Sequence, residues 1–181
     1  MANATGTGSP RRGSEDEGLA SRLQRLEDER CILQLIDLHG MLSDAGPAEG
    51  FAELYVEDCL VDLGEILVSG TRTIIAGRRR LLEQVYLEPG HRAAEGRTQH
   101  FRAGPQIVQI DQDVAAAVTY AMTMFLVDGI PKQVVSGFNF WSMSRRDGHW
   151  RIAQRVHRRL GDSDVPALFK PLVERVLNGL S

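Results

Sequence analysis

Histidine side chains that could move a proton occur at a few informative places in this sequence. His39 lies in a stripe spaced at i, i+3, i+4, i+7 and i+10, whose other members are the apolar Ile32, Leu35, Ile36 and Leu42. A neutral imidazole with a pKa of about 6.5 is an effective general base, above all when a carboxylate holds its second nitrogen. His39 therefore marks either an acid–base site or a hydrogen-bonded histidine of the core.

Residue spacings typical of metal and cofactor sites are missing from the sequence. It contains no HxxxH, CxxC or HExxH, and neither a GxSxG elbow, a P-loop nor a GxGxxG. Cys31 and Cys59 form no metal or disulfide pattern. The other four histidines are scattered: His91, His100, His149 and His157. We therefore expect no metal and no cofactor.

The composition is that of one ordinary globular domain. The 181 residues are 43% hydrophobic and 25% charged, and the formal net charge is −3. This charge argues against nucleic acid and anionic membranes as partners. The apolar runs are far shorter than the roughly 18 residues of a membrane span, and no export signal opens the chain. We expect a cytoplasmic protein that binds a small molecule.

The first half of the chain has mainly helical spacing. Residues 1–17 are small and polar and are predicted to form a disordered tail, which leaves 18–181 as a single domain. Helical spacing begins at Leu19 and ends at Gly46-Pro47. The segments that follow are a short helix at 51–55, a strand at 59–63, a strand–turn–strand at 66–77, and a helix at 78–87 that Pro89-Gly90 stops.

The second half is predicted to be an antiparallel meander. Four segments rich in β-branched and aromatic residues are joined by tight turns at 111–113, Asp128-Gly129 and Asp147-Gly148; they cover 98–110, 114–127, 133–145 and 149–159. A helix at 166–180 closes the chain. Helices followed by a long meander indicate the α+β class, here a curled antiparallel sheet with the N-terminal helices on its concave face.

Alternation along the strands suggests which residues line a pocket inside this curl. Tyr120 and Met122 share one face of their strand; on the next strand Phe138 and Phe140 share one face, while Asn139 and Trp141 share the other. Such side chains usually form core, but some must line any cavity. We expect a mostly apolar lining that suits a small, largely apolar, oxygenated ligand, with Tyr120 or Asn139 as hydrogen-bond donor.

Strict alternation also predicts an exposed face on the last strand. Arg151, Arg155, His157 and Arg159 share one parity there, so we expect them to face solvent or a partner.

Four segments taken in order resemble the nuclear-transport-factor-2-like superfamily, and within it the SnoaL-like group. They are the first helix running to LHGMLSDAG, the strand EDCLVDLG, RTQHFRAGPQIVQID and RRDGHWRI. The resemblance implies a cone-shaped α+β barrel like that of polyketide cyclases, scytalone dehydratase and bile-acid dehydratase. It also implies a catalytic pair, matched here by Asp44 in LSDAG and His100 in TQHFRAG. Some members have a Tyr or Lys five residues before the Asp, where this chain has His39.

The resulting hypothesis is a cofactor-independent lyase, isomerase or cyclase. His100 would act as base, Asp44 would orient it, and His39 would donate a proton or hold an oxygen. The alternative is a non-catalytic role, as a ligand-binding protein or as the small subunit of a ring-hydroxylating dioxygenase. Apolar residues on the outer face of the sheet favour a homodimer or homotrimer.

Overall fold

Five α-helices and six β-strands make up the described part of the chain. The computed structural model describes residues 11–65 and 72–179. Two helices come first, α1 (Arg11–Ala45) and α2 (Ala48–Glu53), followed by strands β1 (Tyr55–Glu65) and β2 (Arg72–Ala76). A helical segment then comprises α3 (Arg78–Leu81), a π-helical turn (Leu82–Tyr86) and α4 (Pro89–Ala93). The rest comprises β3 (Thr98–Asp111), β4 (Val114–Val127), β5 (Ile130–Arg146), β6 (His149–Arg159) and α5 (Val165–Gly179).

The six strands form one curled sheet in the order β2-β1-β6-β5-β4-β3. The meander from β3 to β6 is antiparallel, as predicted, and β1 pairs with β6 in parallel. Two turns of the meander explain its sharp reversals. Asp128-Gly129 and Asp147-Gly148 both have positive φ at both residues (52° and 76°, 51° and 77°), the geometry of a type I′ hairpin turn. The fold is thus the α+β class expected from the sequence.

Helix α1 begins earlier than expected. Residues 11–17, which we assigned to a disordered tail, are helical, while residues 1–10 lie outside the described part. The apolar pattern of a sequence shows only which part of a helix is buried. The backbone hydrogen bonds of the helix can continue beyond that part, through polar residues. The leucines at 19, 23 and 26 are accordingly exposed.

The segment between β2 and β3 also differs from the single helix predicted at 78–87. It is divided by the π-helical turn, and Pro89-Gly90 begins α4 instead of only ending a helix. Proline suits a first helical position because its missing N–H has no partner there in any case. The Glu88 carboxylate caps α4 by accepting the backbone N–H of His91 at 3.1 Å. The predicted turn within 66–77 lies partly outside the described residues, and β2 covers the rest.

The core lies between α1, α2 and the concave face of the sheet. Its fully buried members come from all three parts: Ile32, Ile36, Phe51, Tyr55, Trp141, Met143 and Ile152. Asp28 ties α1 to the sheet by accepting from Arg145 at 2.6 Å and from the Trp150 indole at 3.1 Å. The helices thus cover the concave face of the sheet, and buried polar contacts such as those of Asp28 hold α1 against it.

Candidate active site

His100 and Asp44 lie in direct contact, as the family resemblance implied. The Asp44 carboxylate, near the end of α1, is 2.5 Å from Nδ1 of His100 through its Oδ1. Its Oδ2 accepts the backbone N–H of His100 at 2.8 Å, and Oδ1 also accepts the Thr98 hydroxyl at 3.0 Å. Three donors therefore fix the carboxylate, and the carboxylate requires a proton on Nδ1. The Nε2 lone pair of neutral His100 is left available as a base.

A glycine in α1 allows this contact. A Cβ placed on Gly40 would lie 2.9 Å from the carbonyl oxygen of His100, closer than side chains pack. Backbone of α1 and β3 can therefore approach only because residue 40 has no side chain. The side chains of His100 and Asp44 remain 20% and 18% exposed, so a small molecule can reach them.

His39 belongs to the same interior but does not touch the pair. It is 1% exposed, and its ring packs edge-on against Phe51 and Trp141 with centroids 5.0 and 5.1 Å away. Its Nε2 is 2.9 Å from the Tyr55 hydroxyl. Helix α1 stays regular to Ala45, so five residues turn His39 about 140° away from Asp44.

Arg155 of β6 connects His39 to the sheet. Its Nη1 approaches Nε2 of His39 at 3.4 Å, and its Nε donates to Oδ1 of Asn139 at 3.0 Å. The same Asn139 oxygen accepts Nδ1–H of His157 at 3.2 Å. Asn139 is fully buried, and its Nδ2 finds no hydrogen-bond partner among the described residues. A polar network therefore lies beneath the histidines, where the sequence suggested an apolar pocket.

A second arginine, Arg102, faces this interior from β3, two residues after His100. Its Nη1 donates to the carbonyl of Phe101 at 3.1 Å, while its buried Nε has no partner within the described structure. Burial, and then the positive charge of Arg155, lower the pKa of Arg102 to about 9. The Arg102 guanidinium is therefore charged at neutral pH.

All three histidines of the interior are held neutral. Burial is the largest cause in each case: it lowers the pKa of His100 to about 4, that of His157 to about 3, and that of His39 well below its usual value. The charges of Arg102 and Arg155 lower all three further, and only His100 has an opposing carboxylate, Asp44. The imidazoles therefore remain uncharged at neutral pH.

Two buried tyrosines complete the polar surroundings. Burial raises the pKa of Tyr55 to about 12 and raises that of Tyr86 beyond its usual value, so both hydroxyls keep their protons. The Tyr86 hydroxyl lies 3.1 Å from Oγ of Ser43, which donates to the carbonyl of His39 at 2.6 Å. A cavity of about 290 Å³ opens here, with Ser43, Asp44 and Tyr86 among its lining residues. The cavity thus reaches the Asp44 carboxylate and two hydroxyl groups.

The pairing register corrects most of the predicted lining residues. His100 pairs with Thr123, and Thr119 on the same face of β4 pairs with Asn139. Asn139 and Trp141 therefore share the His100 face, as a lining role requires. The other four expected lining residues lie on the opposite face: Tyr120, Met122, Phe138 and Phe140.

Helix α5 covers part of that opposite face. The rings of Phe138 and Phe140 pack against Phe169 of α5, with centroids 4.9 and 5.3 Å apart. Tyr120 is 61% exposed beside Phe138. The expectation that these residues line the site is wrong, because alternation alone does not tell which face of a strand the N-terminal helices cover.

A β-bulge explains why sequence reasoning missed Arg155 and His157. Met143 pairs with Ile152 but Ser142 pairs with Gln154, so β6 carries one extra residue at Ala153. The extra residue inverts the parity of the strand, which turns Arg155 and His157 inward beside Trp141 and Asn139. Arg102 was missed as well, although its spacing of two from His100 on a strand already indicated the same face.

Among the described residues, no group of three histidine, cysteine, aspartate or glutamate side chains is placed to hold a metal ion. Within the same residues, no helix is long and apolar enough to cross a membrane.

Comparison with known proteins identifies the family. A sequence profile for the SnoaL-like domain matches residues 24–156, so the chain belongs to the SnoaL-like domain family of the NTF2-like superfamily. Among solved structures it resembles an NTF2-like protein with a cystatin-like fold from Novosphingobium aromaticivorans. That pair is 29% identical with a TM-score of 0.73, over 83% of this chain and 94% of the other.

Two more distant structures share the fold. A proposed scytalone dehydratase from Novosphingobium aromaticivorans is 20% identical with a TM-score of 0.62, over 75% of this chain and 86% of that one. A protein named LinA is 14% identical with a TM-score of 0.65, over 77% and 90%. No curated protein matches this sequence.

Proposed function

We propose that this protein is an enzyme that removes a proton from carbon in a small, oxygenated organic compound, with His100 as the general base. The observation that carries the proposal is the contact between Asp44 and His100, which leaves Nε2 of the imidazole free to accept a proton. Such chemistry needs no bound cofactor. The reaction class is that of a lyase, isomerase or cyclase.

Asp44 has two tasks in this proposal. It holds the imidazole in the tautomer whose Nε2 is the base, and it stabilises the imidazolium that forms when the proton arrives. Positioned proton transfer of this kind typically accelerates a reaction by about 10²–10⁴-fold. The buried surroundings contribute further by holding the substrate in a reactive orientation.

The proton has a defined path in each reaction class. In a dehydration, the C–H electrons form the new C=C bond, the C–O bond breaks, and the imidazolium returns its proton to the departing hydroxyl as water. In an isomerisation the same proton returns to a different carbon. In a cyclisation the carbanion attacks a carbonyl within the same molecule, and the imidazolium protonates the resulting oxygen. The hydroxyls of Tyr55 and Tyr86 and the guanidinium of Arg155 are donors of the same interior for such oxygens.

Membership of the SnoaL-like family supports an enzymatic role, since the family includes dehydratases and cyclases. The proposed scytalone dehydratase supports only the fold, because the identity is 20%.

Carbon–hydrogen exchange tests the proposal before the natural substrate is known. The full-length protein is incubated in D2O with a panel of small ketones, β-hydroxy ketones and keto acids, and deuterium incorporation is followed by NMR. We expect catalysed exchange with at least one compound, and a loss of about 100-fold or more in His100→Gln. The matched control is His149→Gln, because His149 is exposed and remote from the site.

Two results would refute the base. The first is exchange in His100→Gln at the wild-type rate. The second is a folded protein that exchanges none of these compounds yet co-purifies with a dioxygenase large subunit, which would assign the non-catalytic alternative.

A further inference from the structure

Two arginines approach the same interior from opposite sides of the curled sheet. Arg102 lies on β3 beside His100, and Arg155 lies on β6, where it pairs with Trp141. The β4 partners of His100 and Arg102 are Thr123 and Ala121, which lie on the same face as Thr119, the partner of Asn139. Arg155 reaches that face from β6, with its Nε on Asn139 and its Nη1 3.4 Å from Nε2 of His39. In line with this arrangement, the positive charge of each arginine lowers the pKa of His39, His100 and His157. Both cations therefore face the interior that holds the proposed base.

Neither arginine forms an ion pair within the described part of the chain. Arg155 donates to the neutral Asn139 and His39, and Arg102 donates to a backbone carbonyl while its Nε stays unpartnered. The oxygens of the Asp44 carboxylate in the same site are occupied by His100 and Thr98.

Other inward-facing arginines of this protein do have carboxylate partners. Arg158 binds Asp62 at 2.9 Å and Asp164 at 2.7 Å, and Arg145 binds Asp28 at 2.6 Å. Arg102 and Arg155 differ from Arg145 and Arg158 in having no carboxylate partner among the described residues. A guanidinium group that is largely withdrawn from water is unfavourable without an opposite charge, so this pair suits an anion that is not part of the chain.

The surface between the two arginines combines small residues with polar and aromatic ones. On the face that the arginines share, β4 contributes the small Ala117, Thr119 and Ala121, and β5 contributes Gly137, Asn139 and Trp141. The cluster formed by Arg102, Arg155 and Asp44 has two positive charges and one negative charge, so its net charge is +1. The unpartnered Nδ2 of buried Asn139 adds a neutral donor to the same surface.

We propose that the substrate carries a carboxylate, and that Arg102 and Arg155 bind it beside His100. This inference rests on the proposed function, because the anion is taken to belong to the molecule whose proton His100 removes. A guanidinium donates two parallel N–H bonds to a carboxylate, and two guanidinium groups hold it from both sides. Once bound, the single negative charge of the carboxylate cancels the net charge of +1 of the cluster, which raises the proton affinity of His100 when substrate is present.

The test uses benzoate with benzamide as its neutral counterpart of the same shape, and acetate as a smaller carboxylate. Binding is measured by chemical-shift titration of the ¹⁵N-labelled protein. We expect benzoate to bind about tenfold tighter than benzamide, in line with charge-assisted hydrogen bonds. Arg102→Gln and Arg155→Gln should each weaken benzoate by about tenfold and leave benzamide unchanged, and Arg155→Lys should retain part of the affinity. Saturation with benzoate should also raise the pKa of the His100 imidazole.

Three outcomes would overturn the carboxylate site. They are no preference of either carboxylate over benzamide, no effect of the arginine substitutions in folded variants, and tighter binding of inorganic phosphate than of benzoate. His100→Gln separates this inference from the proposed function, because it should lose C–H exchange yet bind benzoate normally. Retained exchange in that variant, together with arginine-dependent benzoate binding, would refute the base and leave the anion site standing.

Discussion

The Asp44 carboxylate holds His100 at two points, its backbone N–H through Oδ2 and its ring Nδ1 through Oδ1. Because one carboxylate fixes both the strand and the imidazole attached to it, the ring has little freedom to turn. This double contact explains how a residue at the end of a helix can set the orientation and the tautomer of a histidine 56 positions later.

Replacing Asp44 with Asn should therefore change the tautomer preference of His100. Wild-type His100 carries its proton on Nδ1, and an amide in place of the carboxylate can face the ring with either its NH2 or its oxygen, so the preference is lost. The imidazole ¹⁵N shifts report the tautomer directly. Identical shifts for His100 in wild type and Asp44→Asn would mean that this carboxylate does not set the tautomer.

The depressed histidine pKa values predict a loss of stability in mild acid. The pKa of His100 is about 4 and that of His157 about 3 in the folded protein, against about 6.5 in the unfolded chain. Between these values the unfolded state binds more protons, so the free energy of unfolding falls as pH drops from about 6.5 towards 4 and is constant above that range. Each such histidine contributes a slope of up to about 1.4 kcal/mol per pH unit.

Urea unfolding at a series of pH values measures this slope. His157→Gln should reduce it, because one of the groups that takes up a proton on unfolding is gone. The control for the substitution itself is His149→Gln, which alters an exposed side chain and should change the stability at pH 7 by no more than about 0.5 kcal/mol. A flat profile between pH 7 and 5 would contradict the burial of neutral imidazoles.

Gly40→Ala tests the close approach of α1 and β3. The added methyl group would meet the His100 carbonyl at 2.9 Å, so the helix must shift away from the strand. We expect a loss of about 1–3 kcal/mol in stability and a lower exchange rate. Gly18→Ala is the matched control in the same helix, because nothing lies within 4 Å of its Cβ, and it should be neutral or stabilising by roughly 0.5–1 kcal/mol. Equal effects of the two substitutions would show that the contact is unimportant.

Substitutions on the two faces of the sheet should differ in their effect on exchange. Asn139→Leu removes the acceptor that Arg155 and His157 share, so we expect a loss of about tenfold or more in rate. Tyr120→Ala alters an exposed ring on the opposite face and should leave the rate within about twofold. A larger effect of Tyr120→Ala than of Asn139→Leu would contradict this assignment and support the apolar lining predicted from strand alternation.

The sequence predicted the framework of this fold better than the interior of its site. Asp-Gly pairs with positive φ define the turns of the meander, and such turns are local, so sequence alone locates them. The contact of Asp44 with His100 joins distant parts of the chain and could be expected only from the family resemblance.

The arginines escaped prediction for a different reason. A single extra residue at Ala153 reverses which way β6 points Arg155, and nothing in its local sequence signals the bulge. The choice of covered face is likewise a tertiary property, which is why Tyr120 and Phe138 were placed in the site. Arg102, in contrast, could have been predicted from its spacing of two from His100.

The most direct test of the central claim is a double-mutant cycle on C–H exchange with His100→Gln, Asp44→Asn and the double variant. If Asp44 acts through His100, each single substitution lowers the rate by about 100-fold or more, and the double variant is no slower than His100→Gln alone. Effects that multiply in the double variant would show that the two residues act independently, and would contradict a base held by its carboxylate.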